Sequence, residues 1–356
     1  MQAGIVGMGV MGRLLALTLH NAGWQVTIFD KDTGDHNCSL AAAGLLTPFS
    51  ELDKTDLLIF HLGQESIKTY WPHIIAQLSD EIYFQNSGSI VINHPHDQAE
   101  WNNFKRRISS QFKDHGDYLQ QLSNEDVMQL EPELAKFETA YYFPDEAHID
   151  CQSFMSVLKG DLEDKGVKFC TNTPVLSLKP RLLVTAAKAH EFDMVFDCRG
   201  LGARSVFTDL RPIRGELIWL HAPDVQLQRP IRLLHPRYSL YIVPRPNNIY
   251  LIGASEIEAD DHSSISVLTA LELLTAAYYV HAGFAEARIL KTVTGCRPTL
   301  ASHLPRIKFT DGLIAINGLY RHGYLIAPSL VEEVLRGLKT NHQHVCYPKI
   351  WESQIW

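Results

Sequence analysis

The chain has 356 residues, of which 46% are hydrophobic and 20% charged, and its formal net charge is −8. This composition is typical of a globular protein with about two domains, each able to bury its own core. No run of about 18 apolar residues occurs, and the chain enters an apolar strand without a basic or cleavable leader. We therefore expect a cytoplasmic protein without a membrane span.

The negative charge disfavours a nucleic-acid partner, because neutralising phosphates requires a basic face. The only cationic cluster that stands out is Lys105-Arg106-Arg107, which we interpret as a solvated surface. Six cysteines and 17 histidines form neither a Cys-x-x-Cys motif nor a His-x-x-x-His pair on a plausible helix. The sequence therefore predicts no metal site, and free thiols in a reducing compartment.

The first thirty residues have the pattern of a βαβ unit. Residues 3–6 predict a buried strand, residues 11–22 an apolar-periodic helix, and residues 25–29 a second strand that ends in Asp30. Between the first strand and the helix lies the glycine-rich turn GMGVMG, residues 7–12. A glycine turn that opens a helix, followed by an acid after the next strand, predicts an adenine-dinucleotide site.

Each part of this turn has a physical role. Gly7 permits the tight turn, Gly9 lets backbone N–H groups approach a pyrophosphate, and Gly12 allows the helix and strand to pack closely. Asp30 can accept both ribose hydroxyls and would repel a 2′-phosphate, which makes NADP the least favoured ligand. The turn alone leaves NAD and FAD open, and its Met11-Gly12 ending is also found in nicotinamide-dependent 3-hydroxyacid dehydrogenases.

The segments that follow do not continue as simple βα units. Residues 38–48 form a loop of small residues that suits backbone lying against a large flat ligand. A second buried strand, residues 192–197, leads into Gly200 and Gly202. Segments of the type that contact a cofactor thus occur at both ends and in the middle of the chain, separated by β-rich insertions. We therefore expect two interleaved domains. Further helices are predicted over 66–78, 98–111, 153–165, 264–279 and 325–338, and strands over 87–92, 216–221, 239–243, 249–255 and 313–317.

Motifs in matching order along nearly the whole chain resemble the D-amino-acid oxidase superfamily of flavoproteins. Within it the chain is most similar to the bacterial glycine oxidases of the thiamine pathway. Each motif alone is weak, whereas the ordered set is specific. The motifs are residues 7–12 with Asp30, then AAAGLL (41–46), SGSIV (87–91), LEP (130–132), HID (148–150), DCRGLG (197–202), RPIRGE (211–216), YIVPR (241–245), LIGA (251–254), GCRP (295–298) and GLYRHGYLIAP (318–328).

This resemblance implies an α/β fold, α+β overall: a glutathione-reductase-type FAD-binding Rossmann domain interleaved with a substrate domain built on a large mixed β-sheet. The implied FAD-binding domain comprises residues 1–85, 140–212 and 298–356. The implied substrate-binding domain comprises residues 86–139 and 213–297. Both domains are therefore discontinuous in sequence.

The resemblance also implies which residues contact FAD. The turn is expected at the pyrophosphate, Asp30 and Lys31 at the ribose, and residues 319–325 beside the flavin ring. Independently of the family, a helix opened by Gly323 would direct its amides and dipole at the reduced flavin. The implied cofactor residues are Gly7, Gly9, Val10, Met11, Gly12, Asp30, Lys31, Cys38, Ser39, Ala43, Gly44, Leu45, Val175, Leu319, Tyr320, Arg321, His322, Gly323, Tyr324 and Leu325.

Three residues are implied at the substrate. Arg297, in the Gly-x-Arg-Pro pattern, is expected to anchor an amino-acid carboxylate through its guanidinium fork, the alternative being an arginine solvated beside a strand end. Arg321 would bind either substrate or protein backbone near the flavin. Tyr241 would border the substrate or serve as an ordinary core aromatic.

The implied reaction is the oxidation of a small amino acid, such as glycine, sarcosine or a D-amino acid, with O2 as the acceptor and hydrogen peroxide as a product. Alternatives are a flavin dehydrogenase that uses a quinone, a non-catalytic flavoprotein subunit and a nicotinamide dehydrogenase. A tRNA-modifying relative is disfavoured by the negative charge. The sequence leaves the oligomeric state open, a homo-oligomer included.

The chain departs from the glycine oxidase pattern at several positions, which leaves the substrate less defined than the cofactor. Leu319 and His322 replace the usual histidine and asparagine. Ser302 replaces the usual acid, and Cys296 replaces an aliphatic residue. Related sarcosine oxidases attach FAD through a cysteine in this neighbourhood, but Cys296 is one residue out of that register. We therefore expect non-covalent FAD and a small buried side chain at position 296.

Overall fold

The computed structural model describes residues 1–34, 37–94, 97–111, 118–235, 240–340 and 342–353. Within these residues the chain forms eight α-helices and 22 strands, together with short 3-10 turns and one π-helical turn. The helices are α1 (Val10–Asn21), α2 (Leu57–Glu65), α3 (Trp71–Ile75), α4 (Gln98–Gln111), α5 (Asn124–Leu130), α6 (Cys151–Asp164), α7 (Val267–Val280) and α8 (Gly323–Lys339).

Strands occur in the amino-terminal, central and carboxyl-terminal parts of the chain. They are β1 (Gln2–Val6), β2 (Gln25–Phe29), β3 (Leu45–Leu46), β4 (Phe84–Gln85), β5 (Ser89–Asn93), β6 (Gln120–Ser123), β7 (Thr139–Phe143), β8 (Ala147–Ile149), β9 (Lys168–Cys170), β10 (Val175–Lys179), β11 (Leu182–Thr185), β12 (Ala189–Glu191), β13 (Met194–Asp197), β14 (Arg211–His221), β15 (Ile231–Leu234), β16 (Leu240–Arg245), β17 (Ile249–Gly253), β18 (Ile257–Glu258), β19 (Arg288–Thr299), β20 (Arg306–Thr310), β21 (Leu313–Asn317) and β22 (Trp351–Ser353).

One sheet of the described chain has seven strands in the order β22-β20-β21-β13-β1-β2-β9. Its central strands β21, β13, β1, β2 and β9 are parallel. Strands β1 and β21 are almost entirely buried and apolar, as parallel strands covered on both faces require. Helix α1 lies between β1 and β2 in the chain and packs against α6 and α8. The predicted βαβ unit is therefore confirmed, and β2 has the predicted bounds.

The largest sheet of the described chain has nine strands, and its longest run is β18-β14-β17-β16-β15-β5-β7-β6. Strand β19 pairs antiparallel with β14 along residues 211–221. Most pairings are antiparallel, but β15 and β5 are parallel, so the sheet is mixed. Helix α7 packs against β14, β16 and β17. This mixed sheet, beside the parallel one, confirms the predicted fold class.

The two sheets are built from interleaved segments of the chain. We propose that the domain boundaries follow the sheets. This assigns β7 and the whole of β19 to the substrate-binding part, a few residues beyond the boundaries predicted from sequence. Smaller three-stranded sheets, β10-β11-β12 and β3-β8-β4, flank the parallel sheet.

Several elements differ from the sequence-based expectation, and three of them have a clear physical reason. Strand β19 was not predicted, because its residues 288–292 are exposed and mixed in polarity and its second half contains Gly295 and Pro298. The predicted helix 66–78 is the later part of a helical segment that begins at Leu57, capped by the Asp56 carboxylate, which accepts from the Leu58 N–H. The predicted strand 239–243 begins at residue 239, outside the described residues, and β16 extends from Leu240 to Arg245.

Candidate functional site

A cavity of about 1090 Å³ lies between the two main sheets. Its walls include the carboxyl ends of β1, β13 and β21, and parts of β14, β16 and β19 from the other sheet. Open parallel sheets bind their ligands at the carboxyl ends of the strands, and ligand pockets commonly measure about 300–1,000 Å³. The position and size of this cavity are therefore those of a site for a large ligand.

Nearly all of the predicted site residues line this one cavity. The predicted substrate residues Arg297, Arg321 and Tyr241 lie on its wall. Most of the residues predicted to contact FAD also line it. The predicted cofactor residues that line it are Gly7, Gly9, Val10, Met11, Asp30, Lys31, Cys38, Ser39, Ala43, Gly44, Leu45, Val175, Leu319, Tyr320, Arg321, His322, Gly323, Tyr324 and Leu325.

The remaining predicted cofactor residue, Gly12, does not line the cavity. A Cβ atom at position 12 would lie 1.9 Å from the Gly7 carbonyl oxygen, so this glycine is required for helix α1 to pack against the turn. Gly7 itself has a φ of +102°, and a Cβ there would lie 2.4 Å from the Cys198 carbonyl oxygen. The turn therefore depends on glycine for close approach of backbone segments as well as for ligand access.

Asp30 follows β2 at the cavity wall and already accepts backbone hydrogen bonds. Its Oδ2 accepts from the Met8 N–H at 2.7 Å, and its Oδ1 accepts from the Asp32 N–H at 3.3 Å. Burial raises the pKa of this carboxyl above its ordinary value, against the effect of these hydrogen bonds. The carboxylate thus ties the glycine turn to the end of β2 while remaining on the cavity wall.

The small-residue loop is held in place by a buried arginine from the other sheet. Arg245 Nη2 donates to the carbonyl oxygens of Ala43 at 2.6 Å and Ile149 at 2.7 Å. At the beginning of the loop, Ser39 Oγ accepts from the Val10 N–H at 3.0 Å. These bonds fix the loop against the start of α1, so that both line the same stretch of the cavity.

Arg297 lies on β19 at the end of the cavity formed by the nine-stranded sheet. Its Nη1 donates to the Ser255 carbonyl oxygen at 3.2 Å, and no ion pair joins it to a carboxylate among the described residues. A Cβ at Gly215, on the neighbouring strand β14, would lie 2.2 Å from Arg297 Nη2, so glycine provides the space for the guanidinium. Burial lowers the pKa of Arg297 below its usual range, yet an arginine remains charged at neutral pH.

Arg321 lies on the same cavity but is paired with two carboxylates. Its Nε lies 3.0 Å from Glu51 Oε2, and its Nη1 lies 3.4 Å from Glu256 Oε1. Tyr241 Oη donates to the other Glu51 oxygen, Oε1, at 2.7 Å. Arg321 and the Tyr241 hydroxyl therefore both have protein carboxylates as partners in the structure, and the expected contacts of these two residues with the substrate stay predictions.

Glu51 is the buried centre of this group. Burial, the largest single effect, opposes its ionisation, but the neighbouring charges, that of Arg321 foremost, and the Tyr241 hydrogen bond together outweigh burial, and the pKa of Glu51 falls to about 2. His322 Nδ1 lies 3.9 Å from Glu51 Oε2, and burial lowers the pKa of this histidine to about 3. At neutral pH the group is therefore an ionised glutamate, a charged arginine and a neutral histidine beside the first turn of α8.

Position 296 is a small buried side chain, as predicted. The Cys296 thiol donates to the Asp261 carbonyl oxygen at 3.4 Å, and burial raises its pKa. Ligand-type atoms of Cys296, His262 and Asp260 lie within 4.8 Å of one another, an arrangement that no sequence spacing indicated. Asp260 is already paired with Arg204 at 2.9 Å, so these side chains have protein partners.

Two cavity residues, Glu51 and Glu256, were missed by the sequence analysis. They lie about two hundred residues apart in the chain and meet only through Arg321. Neither belongs to a spacing motif, so the sequence contains no local signal for them. The nearest indication is that Glu51 closely follows the small-residue loop.

The described part of the chain contains no helix with the length and apolar character needed to cross a membrane. Residues 2–334 match the family of FAD dependent oxidoreductases that includes D-amino-acid oxidase. The fold, the cavity and this match define an FAD-dependent oxidoreductase, and the chain belongs to that family. More particularly, it is an oxidoreductase of the ThiO and glycine oxidase type, as the following relatives indicate.

A protein from Rhizobium etli, named as a thiamine biosynthesis oxidoreductase, ThiO, is 34% identical over 336 residues, covering 94% of this chain and 95% of the relative. The glycine oxidase of Geobacillus kaustophilus is 25% identical over 343 residues, covering 91% of this chain and 89% of the relative. The crystal structure of a Geobacillus kaustophilus glycine oxidase has a TM-score of 0.83 at 22% identity, covering 99% of this chain and 98% of that one. This structural likeness supports the fold.

Proposed function

We propose that this enzyme oxidises small amino acids at the α-carbon, with glycine, sarcosine and small D-amino acids as the candidate donors. The observation that carries the proposal is Arg297, a charged guanidinium on the cavity wall without a carboxylate partner among the described residues. A guanidinium fork pairs bidentately with a carboxylate. The relatives named as glycine oxidases support the same class of substrate.

FAD is the cofactor of this family, and the described residues fit it. The Gly7 turn, the start of α1 and Asp30 lie along one stretch of the cavity and would hold the pyrophosphate and ribose. Val175 would border the adenine, and residues 319–325 would lie beside the flavin ring. When bound, FAD supplies the acceptor for the hydride from the substrate α-carbon.

The protein's own contribution is orientation and charge control. Arg297 would bind the substrate carboxylate and so fix the position of the α-carbon in the cavity. The first turn of α8, which begins at Gly323, lines the cavity and directs a partial positive charge into it. His322, which is neutral at neutral pH, adds no competing cation there. No general base is needed if the amine binds in its neutral form.

We further propose that O2 is the final acceptor, so that the products are an imine, its hydrolysis products and hydrogen peroxide. The relatives named ThiO support a role in thiamine biosynthesis, and the six free cysteines are in keeping with a reducing cytoplasm. The final acceptor and the role in thiamine biosynthesis are therefore parts of the proposed function.

The direct test is to purify the protein, record its visible spectrum and measure peroxide release with glycine, sarcosine, D-alanine and proline. We expect a flavin spectrum and peroxide from at least one of these amines. Reduction of an artificial dye without peroxide would replace the oxidase by a dehydrogenase. No turnover with any amine and either acceptor would contradict the proposed function.

A further inference from the structure

Three arginines line the cavity, Arg199, Arg297 and Arg321. Arg199 is paired with Asp197 at 2.7 Å, and of the other two only Arg297 is available to an anionic ligand. Arg321 Nε lies 3.0 Å from Glu51 Oε2, and Arg321 Nη1 lies 3.4 Å from Glu256 Oε1. Arg297 has the Ser255 carbonyl oxygen as its hydrogen-bond partner and no ion pair among the described residues. Both glutamates therefore form ion pairs with Arg321 and not with Arg297.

The Glu51 carboxylate is held firmly in this position. Its side chain is only 9% exposed, and Tyr241 Oη donates to its second oxygen at 2.7 Å. The nearby buried Arg232 is paired with Asp53 at 2.8 Å, so it does not draw Glu51 away from Arg321. The Glu256 side chain is 41% exposed, and its longer contact with Arg321 is weaker.

A dicarboxylate would have to place its second carboxylate where these glutamates already lie. An anion that approached Arg321 would meet the Glu51 carboxylate, and like charges brought together in a site with little water repel strongly. Displacing Glu51 would leave a buried carboxylate without its arginine. A donor with a single carboxylate avoids both penalties, because it needs Arg297 alone.

We propose that Glu51, assisted by Glu256, makes the enzyme selective for donors with a single carboxylate by occupying Arg321. The inference rests on the proposed function, since it takes Arg297 as the carboxylate anchor. Glu51 acts here as a specificity-determining residue: it sets which anions the cavity accepts by removing one cationic subsite.

The test uses the FAD-loaded enzyme and ligands that do not react. Acetate and malonate are titrated, and binding is followed by the change in the flavin absorption spectrum, which requires no turnover. The wild-type enzyme should bind acetate more tightly than malonate. In Glu51→Gln, removal of one negative charge beside Arg321 should tighten malonate binding on the order of tenfold while changing acetate binding much less.

Glu256→Gln is the second variant. Like Glu51→Gln, it should raise the ratio of malonate affinity to acetate affinity, but by a smaller factor. It also keeps the inference testable if Glu51→Gln fails to fold. Glu258→Gln is the matched control: Glu258 lies on the same segment, outside the cavity lining, and pairs with Arg211 at 3.1 Å. Its ratio of malonate to acetate affinity should equal that of the wild type.

An unchanged ratio in both Glu51→Gln and Glu256→Gln would overturn the inference. So would a wild-type enzyme that binds malonate as tightly as acetate. Either result would leave the proposed oxidation of amino acids standing if the amines are turned over. Failure of acetate to bind, together with an absence of turnover, would instead remove Arg297 as the anchor and the proposed function with it.

Discussion

The Tyr241 hydroxyl lies 2.7 Å from Glu51 Oε1 and donates a hydrogen bond to that carboxylate. Both residues line the cavity, and Glu51 in turn pairs with Arg321. Tyr241 therefore acts on the site through Glu51, by holding the carboxylate that occupies Arg321. This relationship changes the expected effect of removing the hydroxyl.

Tyr241→Phe should lower the stability of the protein more than its affinity for substrate. A hydrogen bond to a charged group contributes about 1.5–3 kcal/mol, and Glu51 is buried. We expect the free energy of unfolding, measured with urea, to fall by about that amount, with bound FAD retained and the KM for the amino acid changed only a few-fold. A large rise in KM at unchanged stability would mean that the hydroxyl contacts the substrate directly.

Arg297→Ala should greatly weaken substrate binding while FAD stays bound. Losing one partner of a buried charged pair costs about 2–5 kcal/mol, so KM should rise by about 30-fold to several thousand-fold. Arg297→Lys should recover part of this loss, because lysine keeps the charge but not the planar fork. Steady-state kinetics and the flavin absorbance of the purified variants measure the two effects separately.

Gly215→Ala is the matched variant for this prediction, because it keeps the charge of Arg297 and disturbs only its position. The added Cβ would lie 2.2 Å from Arg297 Nη2 and must displace the guanidinium. KM should again rise while FAD remains bound. Normal kinetics in both variants would remove Arg297 from the substrate site.

Two buried histidines should each contribute stability that is lost as the pH falls below 6.5, against an opposite contribution from Glu131 and Glu146, whose pKa burial raises to about 7. Burial lowers the folded-state pKa of both His148 and His322 from 6.5 to about 3. Below pH 6.5 the unfolded chain binds protons that the folded chain excludes, so this stability is present above pH 6.5 and is lost as the pH falls towards 3. Each histidine contributes a slope of about 1.4 kcal/mol per pH unit within that window.

Urea unfolding at a series of pH values measures this dependence. His148→Gln keeps a hydrogen-bond acceptor for Arg245 and removes one of the two titrations, so the slope between pH 6.5 and about 3 should fall. Glu51, which stays ionised in the folded protein, also makes the free energy of unfolding fall as the pH decreases, but only below the ordinary glutamate pKa of 4.5. A slope that is unchanged in His148→Gln would show that this histidine is not held neutral.

FAD should be released when the protein is denatured. The Cys296 thiol donates to the Asp261 carbonyl oxygen, and its raised pKa leaves little of the thiolate that a covalent bond requires. After heat or acid precipitation we expect all of the flavin in the supernatant, with the same FAD content in Cys296→Ser. Flavin that stays with the precipitated wild-type protein but not with the variant would establish a covalent bond.

Much of the fold could be predicted because its signals are local. The glycine turn, α1 and β2 form a short continuous segment in which apolar periodicity and an acid at the strand end agree. Strand β19 escaped prediction because an exposed strand needs no apolar alternation, and its glycine and proline suggested a loop. Its neighbour β14 defines it through pairing between residues that are 67 (His221 and Arg288) to 88 (Arg211 and Thr299) positions apart in the chain.

The substrate side of the site could be predicted only in part. Arg297, Arg321 and Tyr241 were found through family motifs, but the pairing that distinguishes the two arginines depends on Glu51 and Glu256. No sequence spacing relates these glutamates to Arg321, because the tertiary fold alone brings them together. The charge state of each side chain therefore became clear only from the structure.

The most direct test of the central claim is anaerobic mixing of the purified FAD-loaded enzyme with glycine, sarcosine and D-alanine, followed by flavin absorbance in a stopped-flow instrument. We expect at least one of these amino acids to bleach the flavin of the wild-type enzyme. In Arg297→Ala, bleaching should require a far higher substrate concentration. Flavin that stays oxidised with all three, in a protein that carries bound FAD, would contradict the account.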